Sequence, residues 1–130
     1  MKPIRKSAED YLETIYNLSQ TQGKVRSVDI ADSLNVSKPS THKAMQLLIL
    51  EGLIEKESYG TVFLTDEGKR LAKEILKKHQ AIKILLVDVL GVGEKTAEID
   101  ACKIEHSLSD ETTQKLYEFL KSEFPDIVIV

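Results

Sequence analysis

Tryptophan is absent from this chain of 130 residues, cysteine occurs once, and only four Tyr and three Phe supply aromatic rings. So few rings exclude the stacking surface of an aromatic-rich carbohydrate or single-strand binder. One cysteine cannot close an internal disulfide, which fits a reducing cytoplasm. No unbroken apolar run exceeds four residues, as at Ile84–Val87 and Ile127–Val130. A membrane span needs roughly 20, so none is expected. The basic opening Met1-Lys-Pro-Ile-Arg-Lys leads straight into Ser7-Ala-Glu-Asp with no apolar core, so no secretory signal is expected. Neither sign of charge dominates: 18 Lys+Arg stand against 21 Asp+Glu, a formal charge of −3. What is present is 42% hydrophobic and 30% charged residues, the balance of a folded globular chain. The length suits one domain, or one domain with a helical appendage.

Charge is unevenly distributed. Residues 1–60 carry eight basic and eight acidic side chains, and residues 61–130 carry ten and thirteen. From Ser37 to Leu50 there are Lys38, His42 and Lys43 and no acid. Any attraction for a polyanion is therefore a local patch.

Apolar periodicity predicts a first helix from about Ala8 to Ser19, capped by Ser7, with Tyr11, Ile15 and Leu18 on one face. Gln20–Lys24 reads as a loop. Ser27 is placed as the cap of a short helix ending at Leu34, and Asn35-Val36-Ser37 as a tight turn. Pro39 suits a first helical turn. The helix behind it is expected to reach Leu50 with Thr41, Ala44 and Leu47 or Leu48 inward, and Gly52 ends it. Leu53–Leu64 reads as a hairpin around Ser58-Tyr59-Gly60. A long helix is expected from Asp66 to about Leu90, with Leu71, Ile75, His79, Ile82 and Leu86 on one stripe. Two more follow, Glu94–Leu108 with Ala97, Ala101, Ile104 and Leu108 inward, and one opened by Ser109 that runs to about Glu123. The place of the apolar tail Ile127–Val130 is left open.

Helix, tight turn, helix and hairpin make a winged helix-turn-helix. The fold class is therefore mainly α, an N-terminal winged helix over 1–65 followed by a helical domain over 66–130. The second helix of such a motif must offer small polar groups and positive charge to a major groove. Here it begins Ser37-Lys38-Pro39-Ser40-Thr41-His42-Lys43. Against an ordinary amphipathic helical hairpin stand the missing acids and the wing directly behind; Lys56 on the wing is flanked by Glu55 and Glu57.

The second cluster is Cys102-Lys-Ile-Glu105-His106. Positions i, i+3 and i+4 set a thiol, a carboxylate and an imidazole on one helix face, three side-chain types that bind transition metals. Each alone has an ordinary reading: a buried apolar thiol, a solvated acid, a hydrogen-bonded imidazole. Two further features favour metal. Asp10 and Glu13 form an i, i+3 carboxylate pair, and His79 interrupts an apolar stripe.

These pieces together resemble the diphtheria-toxin-repressor and manganese-transport-regulator family of metal-dependent repressors, along essentially the whole chain. The residues that carry the resemblance are Asp10-Tyr-Leu-Glu13-Thr-Ile-Tyr16, Asp29-Ile-Ala31 with Leu34, Ser37 and Pro39, Leu64-Thr-Asp-Glu-Gly68, Lys78-His79, and Cys102-x-x-Glu105-His106-x-Leu-Ser109. The resemblance implies a winged helix, a helical dimerisation domain and divalent metal bridging the two, in a form without a third, SH3-like domain. It implies Asp10, Glu13, His79, Cys102, Glu105 and His106 as ligands, and Ser37, Pro39 and Ser40 at the DNA. The chain departs from both branches. Iron-type members usually have Met at position 10, and manganese-type members usually have an acid at position 102. Iron-type members also carry Glu and His at positions 83 and 98, where this chain has Lys83 and Glu98. An ancillary site there is not expected, and Glu98 is left as a spare candidate ligand.

The function expected is a cytoplasmic, homodimeric repressor that binds double-stranded operator DNA when loaded with about two divalent ions per subunit. Mn2+ and Fe2+ suit the carboxylates and imidazoles, and the thiolate adds Zn2+ and Co2+ as options. Asp10, Glu13, Glu105 and a Cys102 thiolate carry a charge of −4 that two such ions would neutralise. The alternatives are a winged-helix regulator that senses an organic ligand, and a small metalloenzyme; no residues beyond the ligands suggest a catalytic pocket.

Overall fold

The computed structural model describes residues 6–127. The chain forms two compact units, Met1–Lys73 and Glu74–Val130. In the first, α1 (Lys6–Gln22) precedes a short strand β1 (Val25–Arg26), α2 (Ser27–Leu34), α3 (Lys38–Leu50) and the hairpin β2 (Ile54–Lys56) and β3 (Thr61–Leu64). The helix α4 (Asp66–Ile84) starts in this unit and runs into the second. There it continues as a π-helical turn (Leu85–Val89), followed by α5 (Glu94–Ile104) and α6 (Asp110–Glu123). This is a winged helix-turn-helix followed by an all-helical unit, as the apolar pattern predicts. The expectation for the tail partly lies outside the described residues, which stop at Ile127.

The first unit is built on one apolar cluster. Tyr11, Leu12 and Ile15 of α1 meet Ile30 of α2, Met45 and Leu48 of α3, and Val25, Leu53, Ile54 and Val62 of the sheet and its approach. Burying each large aliphatic side chain here contributes about 1.5–3 kcal/mol. Three local readings are corrected. The first helix runs past Ser19 to Gln22 and includes Ser7. The Ser19 hydroxyl donates to Tyr16 O at 2.7 Å and Thr21 bonds back to Asn17 O at 3.2 Å, so these polar side chains remain compatible with the helix. The residues Val25 and Arg26, unassigned between the expected loop and helix, pair antiparallel with Val62 and Thr61, giving the sheet order β1-β3-β2. Two residues are too few to leave an alternating pattern. Ser27 does not cap α2; the Asp29 carboxylate accepts the Arg26 N–H at 2.9 Å, and the Ser27 hydroxyl has no hydrogen-bond partner.

The tight turn between α2 and α3 depends on Asn35, which takes the left-handed conformation at φ 53°. Its N–H and that of Val36 return to Asp32 O and Ala31 O. Ser37 then caps α3 by accepting the Ser40 N–H at 3.2 Å. On α3 the buried residues are Thr41, Met45 and Leu48, while Ala44 is half-buried and Leu47 is 50% exposed. The helix is thus turned slightly from the orientation expected, because a methionine fills the core at the position after Ala44.

Leu64-Thr-Asp-Glu-Gly68 joins wing to α4 through one residue. Thr65 donates its hydroxyl to Gly52 O at 2.7 Å, accepts the Gly68 N–H at 3.1 Å, and its own N–H reaches Leu53 O at 3.0 Å. Gly68 sits so close to this crossing that a Cβ would lie 2.0 Å from Leu53 O. Backbone approach, not chain flexibility, requires glycine there.

In the second unit the buried residues are Ile75, Ala81 and Ile82 of α4, Ala97 and Ala101 of α5, Thr113 and Leu120 of α6, and Glu105. The helix α5 ends sooner than expected, and the buried stripe 97–101 continues to Glu105, not Ile104, which is 36% exposed. Ser109 caps α6 by accepting the Thr112 N–H at 3.1 Å.

Candidate metal centre and nucleic-acid interface

Glu105 closes α5 with its side chain fully buried, an unusual place for a carboxylate. Its Oε2 lies 2.7 Å from His79 Nδ1 on α4. Its Oε1 has no hydrogen-bond partner and lies 3.5 Å from His106 Nε2, whose side chain is also buried. A buried, half-satisfied carboxylate costs several kcal/mol unless positive charge reaches it. The hydrogen bond to Glu105 pushes His79 up to about 9 against the effect of its own burial, and Glu98 raises it further. The two carboxylates that flank the ring thus favour its protonated form.

Within the helical unit, Cys102, Glu105 and His106 each offer a ligand atom within 4.8 Å of the others, and His79 and Glu105 do the same. Glu105 is shared by both groups. Cys102 is exposed, one turn ahead of Glu105. A thiol, two imidazoles and a carboxylate with an unsatisfied oxygen are donors that suit a divalent transition metal. The four residues expected from this part of the chain are brought together. The other two expected ligands, Asp10 and Glu13, belong to the first unit. They stand half-buried and one turn apart on α1, beside the core residues Tyr11 and Leu12.

The spare candidate Glu98 has definite partners. Its Oε1 lies 2.9 Å from His79 Nε2 and its Oε2 lies 3.1 Å from Lys83 Nζ. Lys83 also reaches Glu94 at 3.5 Å. The sequence reading missed Lys83 and Glu94 as partners. The i, i+4 spacings 79–83 and 94–98 carried the signal, since each sets two groups on one helix face.

On the first unit, Ser37, Lys38, Pro39, Ser40, His42 and Lys43 are all exposed at the start of α3. The N-terminus of that helix has no acid in its first turn, and Pro39 lies within it. The exposed hydroxyls of Ser37 and Ser40, with Lys38 and Lys43 beside them, can reach phosphate and base edges.

Two family profiles match the chain. Residues 4–62 match "Iron dependent repressor, N-terminal DNA binding domain", and residues 65–126 match "Iron dependent repressor, metal binding and dimerisation domain". An uncharacterized HTH-type transcriptional regulator of Methanocaldococcus jannaschii is 44% identical over 121 residues, covering 91% of this chain and 95% of the relative. The transcriptional regulator MntR of Escherichia coli O157:H7 is 42% identical over 108 residues, covering 83% of this chain and 69% of that protein. Among solved structures, that of the manganese regulator SloR superposes with a TM-score of 0.78 at 32% identity. The match covers 93% of this chain and 55% of the SloR chain, so this chain spans about half the length of that structure.

Proposed function

The chain belongs to the iron-dependent repressor family, metal-responsive DNA-binding transcriptional regulators that include the manganese regulators and diphtheria toxin repressors, and we propose that it represses transcription as a metal-loaded homodimer on operator DNA. Family members are regulators and not enzymes. The observation that carries the proposal is the buried Glu105 carboxylate with one unpartnered oxygen among two imidazoles and a thiol.

We assign Asp10, Glu13, His79, Cys102, Glu105 and His106 as the ligands of about two divalent ions per subunit. Sharing of Glu105 between two donor groups supports that number. Bound metal would stand in for the His79 proton as the positive charge beside the buried carboxylate. Metal loading favours the state in which two reading heads of a dimer fit one operator. Ser37, Lys38, Pro39, Ser40 and Lys43 meet the DNA, the first and third by approaching base edges and the lysines through phosphate. The functional division falls at Thr65, a reading head over 1–65 and a metal-binding and dimerisation domain over 66–130. The change of family profile between residues 62 and 65 supports it. Mn2+ and Fe2+ are the ions we favour, with Zn2+ and Co2+ also suited by the thiolate. Among the described residues no helix is long and apolar enough to cross a membrane, and we place the protein in the cytoplasm.

The test is operator affinity, read by fluorescence anisotropy under anaerobic reducing conditions, against free Mn2+, Fe2+ and Zn2+. Metal should switch binding on, and H106A should impair the response to all three ions. Operator binding that ignores metal would sink the proposal. Sensing of an organic ligand would then lead, with the open groove of about 480 Å3 lined by Tyr16, Phe63, Lys69 and Lys73 as the place to look.

A further inference from the structure

Both ring nitrogens of His79 face carboxylates, and the two carboxylates are unlike. Nδ1 faces Glu105, fully buried, with a spare oxygen and a place in both donor groups. Nε2 faces Glu98, whose side chain is 54% exposed and whose two oxygens are both engaged, one by His79 and one by Lys83. Glu98 belongs to neither donor group among the described residues.

We propose that Glu98 is a positioning residue and not a metal ligand: anchored by Lys83, it accepts the Nε2–H of His79 and so presents Nδ1, the nitrogen on the Glu105 side, to the ion. The inference rests on the metal-sensor reading and deepens it. An imidazole ligates through a deprotonated nitrogen and keeps its proton on the other. A carboxylate that accepts that N–H fixes the tautomer, holds the ring plane and strengthens the donor. Glu98 has the position for this task, with one oxygen on Nε2 and the other held by Lys83.

Lys83 explains why Glu98 stays in that role. An exposed carboxylate one hydrogen bond from a ligand would otherwise be free to swing onto an ion. The ammonium lies between Glu98 and Glu94, at 3.1 and 3.5 Å, and fills the space in which a divalent cation would have to gather those two oxygens. It is a tethered cation where a mobile one would otherwise compete. The four groups come from two helix faces, His79 and Lys83 on α4 and Glu94 and Glu98 on α5. The relative register of the two helices sets the arrangement.

The experiment uses the full chain with Zn2+, a diamagnetic probe, on wild type, E98A, E98Q and K83M. Ions per subunit are counted by mass spectrometry of the metal, affinity is measured by calorimetry, and the His79 ring nitrogens are read by 15N NMR. The ion count should be the same in all four proteins. Affinity should fall about 10–100-fold in E98A. The fall should be smaller in E98Q, whose amide oxygen still accepts the Nε2–H, and smaller again in K83M. In loaded wild type, Nδ1 should carry the metal shift and Nε2 its proton. Loss of one ion in E98A would make Glu98 a ligand and overturn the inference, as would zinc on Nε2. Wild-type affinity in E98A would also overturn it while leaving the metal-sensor reading intact. Failure of wild type to bind zinc would remove both.

Discussion

At the scale of single residues, the metal centre is a competition between protons and ions. The folded pKa of His79 is about 9 against an ordinary 6.5, raised chiefly by its hydrogen bond to Glu105. Raised pKa means that protonation favours the folded, metal-free protein. That contribution is present in full below pH 6.5 and is lost as pH rises through 9. If His79 ligates as proposed, metal displaces the same proton, and apparent metal affinity should climb by about tenfold or more per pH unit between 6.5 and 8.5. Thermal melts of metal-free wild type and H79Q should therefore converge as pH rises over this range, while calorimetry shows zinc binding tighten. Flat profiles in both would mean that His79 is not held as an imidazolium. Cys102 poses a different question, since it is the soft donor among hard ones. C102D exchanges a thiolate for a carboxylate of equal charge, so Mn2+ should still activate operator binding. The response to Zn2+ and Fe2+ should fall relative to Mn2+. If the variant kept the wild-type metal ranking in an operator titration, Cys102 would lie outside the coordination sphere.

At the scale of elements, the crossing of wing and α4 is fixed by backbone contact. G68A would drive a methyl group to 2.0 Å from Leu53 O, so it should destabilise the winged helix by about 1–3 kcal/mol in urea unfolding. A melt within error of wild type would show that α4 can slide away from the hairpin freely. On α3, K43A should weaken operator and random DNA alike and reduce the slope of log affinity against log salt by about one. An unchanged slope would remove Lys43 from the interface. The legibility of these elements in the sequence follows their physics. Helices with a clean apolar stripe and a definite boundary, such as the end of α2 before Asn35 and the start of α6 after Ser109, could be read nearly to the residue. The strand β1 could not, because two residues make no period and pairing with β3 is a long-range event. The end of α1 was hidden by Ser19 and Thr21, polar side chains that happen to bond back into the helix. The gathering of possible donors at positions 102, 105 and 106 was legible from spacing. The burial of Glu105 was not, since a stripe that ends in a carboxylate looks like one that ends at its apolar neighbour, Ile104. The partners of Glu98 were legible only in part: the i, i+4 spacings pair 79 with 83 and 94 with 98 on their own helices, but which pair meets which depends on how α4 and α5 register.

At the scale of the whole molecule, the helical unit carries more apolar surface than it covers. Val89 is 38% exposed, Leu90 63%, Ile99 57%, Ile104 36% and Phe119 42%. Ile84, Leu85, Leu86 and Val87 are only half-buried at the end of α4 and in the π-helical turn. With Ile127 at 36% these make six large exposed side chains among the described residues of so small a unit, apolar area that an interface would bury. A twofold dimer is the simplest way to bury such a surface, because it pairs the patch with itself. The profile matched by residues 65–126 names dimerisation as well as metal binding, in agreement. Two reading heads related by a twofold axis then match the symmetry of a palindromic operator, and neither head alone need bind tightly. The expected state is a homodimer held mainly by residues between Asp66 and Phe124. Sedimentation equilibrium at micromolar concentration with Mn2+ should return twice the chain mass, and L90E should shift it toward the single chain. L90E should also cost operator affinity more than it costs metal affinity, because the proposed ligands lie on one chain while the proposed operator complex uses two. A wild type that sediments as a monomer with metal present would sink the dimer. An L90E variant that remained dimeric would move the contact away from the end of the π-helical turn and toward Ile99 and Phe119.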